Sequence, residues 1–354
     1  MIELLLEQYN LFCNRINEIK DYISLLNMQN ELICSKENSS LNNYINNLQQ
    51  KKCDTVTYNA IIISIYGCFE NFIDDILAEY LKKVLLLSKN YSKLNNNICN
   101  KYKKEVTDYI NNQNHFCNYN LELNNVVRHF YECINKDNCI NIDVELIIKH
   151  PGNLKINQIN NLLRECGIDN SISKIKENQE FIEYIKQEND LISDDVAKEY
   201  LNKLDNNYIF SKLDRLVDLR NSVSHSWNSD DRDSIQVIND SYIKFMNIFC
   251  KCIYELLFIE LYILMKETDN MVEIEIKELY SDTIIEVDTK DYMFSVGDYI
   301  LFVNGNGKYN LTKVKGMKNK ESKDIPDCNN EDRVTIQLTK KMKKSYKLYI
   351  KYEK

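Results

Sequence analysis

Three side chains with useful chemistry lie close together in the segment Leu213–Ser226, namely Arg220, Asn221 and His225, with four residues between the arginine and the histidine. Histidine has the side-chain pKa nearest to neutrality, so it can act as a general base. Arginine carries a fixed charge and paired donors that match phosphate oxygens. Such a pair has the chemistry to cleave RNA without a metal. The 2′-hydroxyl of RNA can attack the adjacent phosphate once a base removes its proton, and the cation stabilises the developing charge.

Helical geometry constrains how the two side chains can act together. The apolar residues of this region predict a helix from about Tyr208. Five residues at about 100° each would place Arg220 and His225 about 140° apart around that helix. Two solutions are open: the helix ends near Ser222–Ser224, or two copies of the motif face each other across a two-fold dimer.

The motif resembles the mark of the HEPN superfamily, which is an arginine, a polar residue that is often asparagine, further residues and then a histidine. Two other segments add to the resemblance. Tyr66–Ile73 resembles an early helix of a HEPN branch common in prokaryotic defence loci, and Asn153–Asp169 resembles the short helix that precedes the motif in that branch. The resemblance spans roughly residues 55–230 and leaves out the last part of the chain.

The resemblance implies a fold, an activity and partners. The fold would be a mainly α, HEPN-like helical bundle, and the protein would form a homodimer. The activity would be that of a cofactor-free endoribonuclease that leaves 2′,3′-cyclic phosphate and 5′-hydroxyl ends. Arg220 and His225 would be catalytic, and Asn221 would orient the histidine or the phosphate. A toxin or phage-defence effector of this kind would be restrained by an antitoxin or another defence-system protein.

Two plainer interpretations remain open. Arg220 lies on the apolar side of the predicted helix, so it could be a structural salt-bridge partner, and His225 could cap the end of the helix. The chain would then be a catalytically inactive module that uses the HEPN fold to dimerise or to bind nucleotide or RNA.

The twelve cysteines do not predict a disulfide framework. The first residues carry no basic segment and no cleavage-site pattern, so we expect the reducing cytoplasm. A zinc set can be drawn from two histidines and several cysteines, but no CxxC pair occurs, so we expect no metal. The members of that set are His115, Cys117, His129, Cys133 and Cys139.

The composition favours helices, because only 2 Pro and 7 Gly interrupt 354 residues. Apolar spacing predicts helices over about 1–34, 54–88, 101–111, 121–134, 158–166 and 233–266, and a weaker pattern over 174–206. The most apolar run, Ile248–Met265, contains three charged residues. We therefore expect a buried helix there and no membrane span.

After residue 268 the pattern changes to short alternating stretches, which predict a small β-barrel or sandwich. We therefore expect a helical domain over 1–268 and an all-β domain over 269–354. Residues 308–354 carry a balance of +8 within a chain of net charge −8, so the remainder carries −16. A basic strip near the end interleaves cations with an aromatic ring and predicts an RNA-binding surface, the alternative being a solvated hairpin. Its residues are Lys340, Lys341, Lys343, Lys344, Tyr346 and Lys347.

Overall fold

The computed structural model describes residues 3–34, 54–112, 121–150, 152–225, 232–289, 292–329 and 331–351. Contacts divide the chain into two compact units. The helical unit comprises residues 1–82 and 90–256, and the sheet unit comprises residues 83–89 and 257–354. The boundary between the units therefore falls within two helices. That the chain folds as independent domains divided at residue 268 stays a prediction.

The described helices agree in most positions with the apolar spacing of the sequence. They are α1 (Glu3–Cys34), α2 (Asp54–Ser88), α3 (Asn96–Asn111), α4 (Leu123–Lys136), α5 (Val144–Ile148), α6 (Ile156–Glu165), α7 (Ser171–Lys176), α8 (Gln179–Glu188), α9 (Asp194–Lys203), α10 (Asn206–Ile209), α11 (Ser211–His225), α12 (Ile235–Val237) and α13 (Lys244–Glu267). A 3₁₀ turn at Tyr91–Lys93 precedes α3, and a π-helical turn at Ile238–Ile243 connects α12 to α13.

Local signals explain several helix ends. Gly167 has φ +87°. Its N–H bonds to the Arg164 carbonyl at 2.9 Å, and the Ile168 N–H bonds to the Leu163 carbonyl at 2.9 Å. This is a Schellman end, which favours glycine at that position. The weak pattern over 174–206 is divided into separate helices because the Asn178 and Ser193 side chains accept from backbone N–H groups at the starts of α8 and α9.

Stacked aromatic rings form the centre of the helical unit. Phe210 stacks on Phe181 of α8 with centroids 5.3 Å apart. It also lies 5.5 Å from Phe249 of α13, and Phe249 lies 6.3 Å from Phe69 of α2. All four rings are fully buried. Because Phe210 immediately precedes α11, this cluster fixes where that helix begins.

Helix α13 contains the most apolar run of the sequence, and its side chains are largely buried. Within the described residues, no helix combines the length and the apolar character that crossing a bilayer requires.

In the described part of the sheet unit, the strands form a seven-stranded sheet in the order β1-β7-β4-β5-β6-β3-β2, and neighbouring strands are antiparallel. They are β1 (Met271–Ile274), β2 (Ile276–Ser281), β3 (Ile284–Asp288), β4 (Tyr299–Val303), β5 (Tyr309–Lys318), β6 (Arg333–Leu338) and β7 (Lys347–Lys351).

The first two strands lie at opposite edges of this sheet although only Glu275 separates them. The sheet must therefore curl until its edges approach each other, as in a small barrel. The sequence predicts one strand over Val272–Ile276 instead of two. The alternation cannot reveal the break, since Ile274 and Ile276 are both buried and Glu275 between them is exposed.

The inner face of the curled sheet is apolar, with Ile285, Ile300, Val314, Ile336 and Leu348 among its buried residues. A mainly α fold with a small C-terminal β domain is thus confirmed.

Candidate active site

Helix α11 places Arg220 at the edge of the core of the helical unit. Leu213, Leu216 and Val217 recur at intervals of three and four and are fully buried. Arg220 continues that stripe, being four residues after Leu216 and three after Val217. Its side chain is therefore directed to the core side of the helix, where it is half-buried.

The guanidinium of Arg220 is held by an aromatic ring and two amides. Its Cζ lies 4.6 Å from the ring centroid of Tyr66 on α2. Its Nη1 donates to Asn153 Oδ1 at 2.8 Å and to Asn221 Oδ1 at 3.2 Å. A planar guanidinium over an aromatic face is a favourable cation–π arrangement. These contacts fix the direction of the group while leaving its charge in place.

Among the described residues, no carboxylate pairs with Arg220. A salt-bridge role on the same helix belongs instead to Arg215, whose Nε lies 3.2 Å from Asp233 Oδ2. Asp233 also accepts a hydrogen bond from the Tyr242 hydroxyl at 2.7 Å. A half-buried cation with neutral partners is available to an anionic ligand, whereas the charge of Arg215 is already compensated.

A short segment between α5 and α6 lies against both α2 and α11. We call it the strap and define it as His150 together with Gly152–Ile156. Toward α2, the Leu154 N–H donates to the Tyr66 hydroxyl at 3.1 Å, and His150 Nε2 lies 3.3 Å from Asp74 Oδ1. The strap therefore connects to two different turns of that helix.

Toward α11, the strap makes three further contacts. Asn153 accepts from Arg220 as described above. Lys155 Nζ lies 2.7 Å from Asp218 Oδ1, and the Ile156 N–H donates to Asp214 Oδ1 at 2.9 Å. The strap thus fixes the distance between α2 and α11 at the level of Arg220.

Tyr66 joins these elements through its hydroxyl as well as its ring. The hydroxyl accepts from Leu154 N–H and donates to Glu70 Oε1 at 3.1 Å. Burial, with the nearby Glu70 carboxylate adding to it, raises the pKa of Tyr66 to about 12. Tyr66 therefore stays neutral at physiological pH, where its ring and hydroxyl act as a fixed support for Arg220 and the strap.

We expect Tyr66→Phe to lower the free energy of unfolding by about 1 to 3 kcal/mol. The substitution keeps the ring beneath Arg220 but leaves the Leu154 N–H, in a fully buried residue, without its acceptor. Urea denaturation of both proteins measures the difference. Tyr131→Phe is the matched control, because Tyr131 is 56% exposed and its loss of a hydroxyl should change stability by less than about 0.5 kcal/mol. Equal stabilities of Tyr66→Phe and wild type would contradict the role of this hydroxyl.

Helix α11 is unbroken from Ser211 to its last residue, His225, which is one position after Ser224. Asn221 lies beside Arg220 and accepts from it. The His225 side chain lies outside what the structure describes, so its catalytic role stays a prediction.

The basic strip lies in the connection between β6 and β7 of the sheet unit. Lys343 and Lys344 are exposed. Lys341 Nζ lies 2.8 Å from Asp282 Oδ2, and Lys347 Nζ lies 3.4 Å from Glu273 Oε1. Tyr346 stacks on Phe302 with centroids 5.6 Å apart, so one face of its ring belongs to the sheet core. Lys343 and Lys344 therefore offer the least compensated charge of the strip.

The histidine and cysteines considered for zinc have other surroundings. His129 Nδ1 lies 3.0 Å from Asp143 Oδ1. Burial raises the pKa of Cys133 to about 12 and that of Cys139 to about 11, so both remain neutral thiols at physiological pH. In the described ranges, no three His, Cys, Asp or Glu side chains are grouped as a metal site. His115 and Cys117 lie outside those ranges.

The strap and its partners on α2 are the part of the site that the motif alone did not predict. The sequence motif assigns no role to His150 or to Gly152. A signal was present in α2, where Tyr66, Glu70 and Asp74 recur every four residues and so share one face of an otherwise apolar helix. Polar residues on a core-facing side indicate a buried polar contact or a functional site.

A comparison with known protein families gives one match. The family model described as RiboL-PSP-HEPN matches residues 14–258, which include α2, the strap and α11. No curated protein and no solved structure matches the chain. HEPN proteins have nuclease or RNA-binding roles in general. The match covers more than half of the chain, so the chain belongs to the RiboL-PSP-HEPN family of the HEPN superfamily.

Proposed function

We propose that this protein is a metal-independent endoribonuclease with Arg220, Asn221 and His225 in its active site. The observation that carries the proposal is the state of Arg220, a half-buried cation aimed by a ring and two neutral amides and free of any described carboxylate. Such a group is suited to the charge that develops on a phosphate during cleavage.

In the proposed reaction, His225 removes the proton of a ribose 2′-hydroxyl. The 2′-oxygen then bonds to the adjacent phosphorus while the bond from phosphorus to the 5′-oxygen breaks. Arg220 stabilises the extra negative charge on the phosphate oxygens, and the departing 5′-oxygen takes up a proton. The products are a 2′,3′-cyclic phosphate and a 5′-hydroxyl. Asn221 orients Arg220 through the bond between their side chains.

A homodimer completes the site in this proposal. On an unbroken α11, positions 220 and 225 would lie about 140° apart around the helix axis, so one chain would not easily direct both residues at one phosphate. A two-fold axis near the motif would bring the arginine of one chain to the histidine of the other. We further propose a cytoplasmic toxin or phage-defence role, in which an antitoxin or another defence-system protein restrains the activity.

One cleavage assay tests the proposed function. Purified protein is incubated with end-labelled RNA in buffer containing EDTA, and the product ends are identified. We expect cleavage to persist and to give 5′-hydroxyl ends and cyclic phosphates. Activity that disappears with EDTA, or 5′-phosphate ends, would contradict the mechanism. RNA that is bound and never cut would favour the catalytically inactive HEPN module, in which Arg220 only supports the fold or holds a nucleotide.

We also propose that the basic strip binds RNA without taking part in the chemistry. Replacing Lys343 and Lys344 with serine should flatten the dependence of log affinity on log salt by about 1.4, at about 0.7 for each phosphate contact to a single strand. KM should rise and kcat should stay the same, because only uniform binding is lost. Fluorescence anisotropy and initial rates over a range of salt concentrations measure both effects.

The matched control replaces two exposed lysines of α9, Lys198 and Lys203, with serine, which changes the net charge equally. If the strip variant and the control have the same salt slope, the strip is a solvated surface. The sheet unit would then more readily serve a protein partner.

A further inference from the structure

A second histidine lies next to the candidate site. His150 begins the strap, and its side chain is only 13% exposed. Its Nδ1 lies 2.7 Å from the Gly152 carbonyl oxygen, and its Nε2 lies 3.3 Å from Asp74 Oδ1. The helices α6 and α11 also bury apolar side chains of their own, among them Leu162, Leu163 and Leu216.

These partners determine the charge that His150 prefers. A carbonyl oxygen only accepts, so Nδ1 carries a hydrogen, and a carboxylate facing Nε2 favours a hydrogen there as well. Asp74 raises the pKa of His150 above its usual value, the Gly152 carbonyl and Glu70 add to this, and burial opposes it. These contacts therefore favour the protonated imidazolium over the neutral ring.

Other charged groups surround His150 on the neighbouring elements. On α2 they are Asp74 and Glu70, which both act to raise its pKa. Lys149, the preceding residue, lies 3.4 Å from Glu105 of α3 and is thereby compensated. On α11, Arg220 is held through Asn153. The charge of His150 is thus balanced mainly by carboxylates of α2.

The strap connects His150 to Arg220 through two consecutive residues. Gly152, which holds Nδ1, is followed directly by Asn153, which holds the guanidinium. Gly152 is exposed and has φ +130°, a conformation open to glycine and strained for other residues, so the strap has little side-chain packing of its own at this point. His150 Nε2 approaches Asp74 Oδ1 at ion-pair distance, without the geometry of a hydrogen bond, and this contact links that end of the strap to α2.

We propose that His150 is a positioning residue whose ion pair with Asp74 holds Asn153 and thereby directs Arg220 toward the phosphate, and that the strap loosens when His150 loses its proton. The inference rests on the proposed ribonuclease function. It gives the enzyme an alkaline limit to its activity that is independent of His225. The protonated fraction of His150 falls as pH rises through its elevated pKa, so kcat should decline at pH values above the usual histidine value of about 6.5.

Three variants and a matched control test this proposal by kcat, KM and pH profile. His150→Gln should lower kcat by roughly 10- to 100-fold with little change in KM, because a displaced catalytic group costs rate more than binding. His150→Lys keeps a cation opposite Asp74, so it should recover part of kcat and lose the alkaline decline. Asp74→Asn should move that decline to lower pH. His129→Gln is the control, since His129 also pairs with an aspartate, Asp143, and should leave kcat unchanged.

Hydrogen–deuterium exchange provides a readout that does not depend on cleavage. The amides of Leu154 and Ile156 donate to Tyr66 and Asp214 in the native strap. Their exchange should accelerate in His150→Gln and not in His129→Gln.

The outcomes distinguish the two proposals. Wild-type protein that leaves RNA uncut refutes the ribonuclease function. A wild type that cuts RNA, beside a His150→Gln variant with the same kcat and pH profile, refutes only the positioning role. Unchanged exchange of the strap in His150→Gln overturns the inference in either case.

Discussion

Replacing Arg220 or His225 with alanine should lower the rate of RNA cleavage by about 10²- to 10⁴-fold, the usual loss when a charge-stabilising donor or a general base is removed. For Arg220 the reason is its uncompensated guanidinium, which no other described side chain of the site replaces. Single-turnover rates at saturating RNA measure the loss. Arg220→Lys should recover little, because an ammonium cannot reproduce the planar pair of donors.

The control for this prediction is Arg164→Ala. Arg164 lies on α6, and its side chain makes a single described hydrogen bond, from Nη2 to Asn161 Oδ1 at 3.2 Å. It should retain wild-type activity. Thermal melting of each variant separates lost chemistry from lost folding. An Arg220→Ala or His225→Ala protein that is folded and cuts RNA at the wild-type rate would remove the motif from the mechanism.

Mixing the two inactive variants should restore activity if the site is shared between chains. In a dimer of one Arg220→Ala chain and one His225→Ala chain, one composite site has lost both groups and the other retains both. Random pairing of equal amounts makes half of the dimers mixed, so about a quarter of the wild-type activity should return. The two variants are unfolded together, refolded and assayed against each variant treated alone.

Differently tagged chains show whether mixed dimers have formed. Mixed dimers without recovered activity would place Arg220 and His225 of one chain in the same site. A protein that is monomeric in sedimentation experiments at micromolar concentration and fully active would also place both residues of one chain in the same site. In either case the end of α11 would have to bring His225 back toward Arg220 of its own chain.

The parts of the fold that the sequence predicted correctly are those in which one chemical signal dominates. The apolar repeats of α2 and α11 predicted these helices correctly, because the residues that repeat are the ones that are buried in the structure. Gly167 directly follows the helix predicted over 158–166 and ends α6, since few residues other than glycine accept its positive φ. Arg220 could be selected from the sequence because the motif consists of residues that are close together in the chain.

The strap could not be predicted in the same way, because its contacts join residues far apart in the chain. Asn153 and Arg220 are 67 positions apart, and Leu154 and Tyr66 are 88 apart. No periodicity links such pairs, and a loop of six or seven residues has no repeat of its own. The boundary between β1 and β2 could not be predicted because the periodic signal does not change there. The alternation of buried and exposed residues continues from one strand into the next.

An open sheet usually has two free edges at which another polypeptide can add a strand, and such edges are sites of aggregation. Here the edge strand β1 ends, and the other edge strand β2 begins, on either side of Glu275, so the edges are brought together at that residue. β1 has only four residues, and the pairing of β2 is irregular at two points. Short and irregular edges are poor templates for a foreign strand. The sheet unit can therefore be kept at high concentration in a cell with little tendency to recruit other chains by strand addition, and a partner would have to recognise its faces or loops.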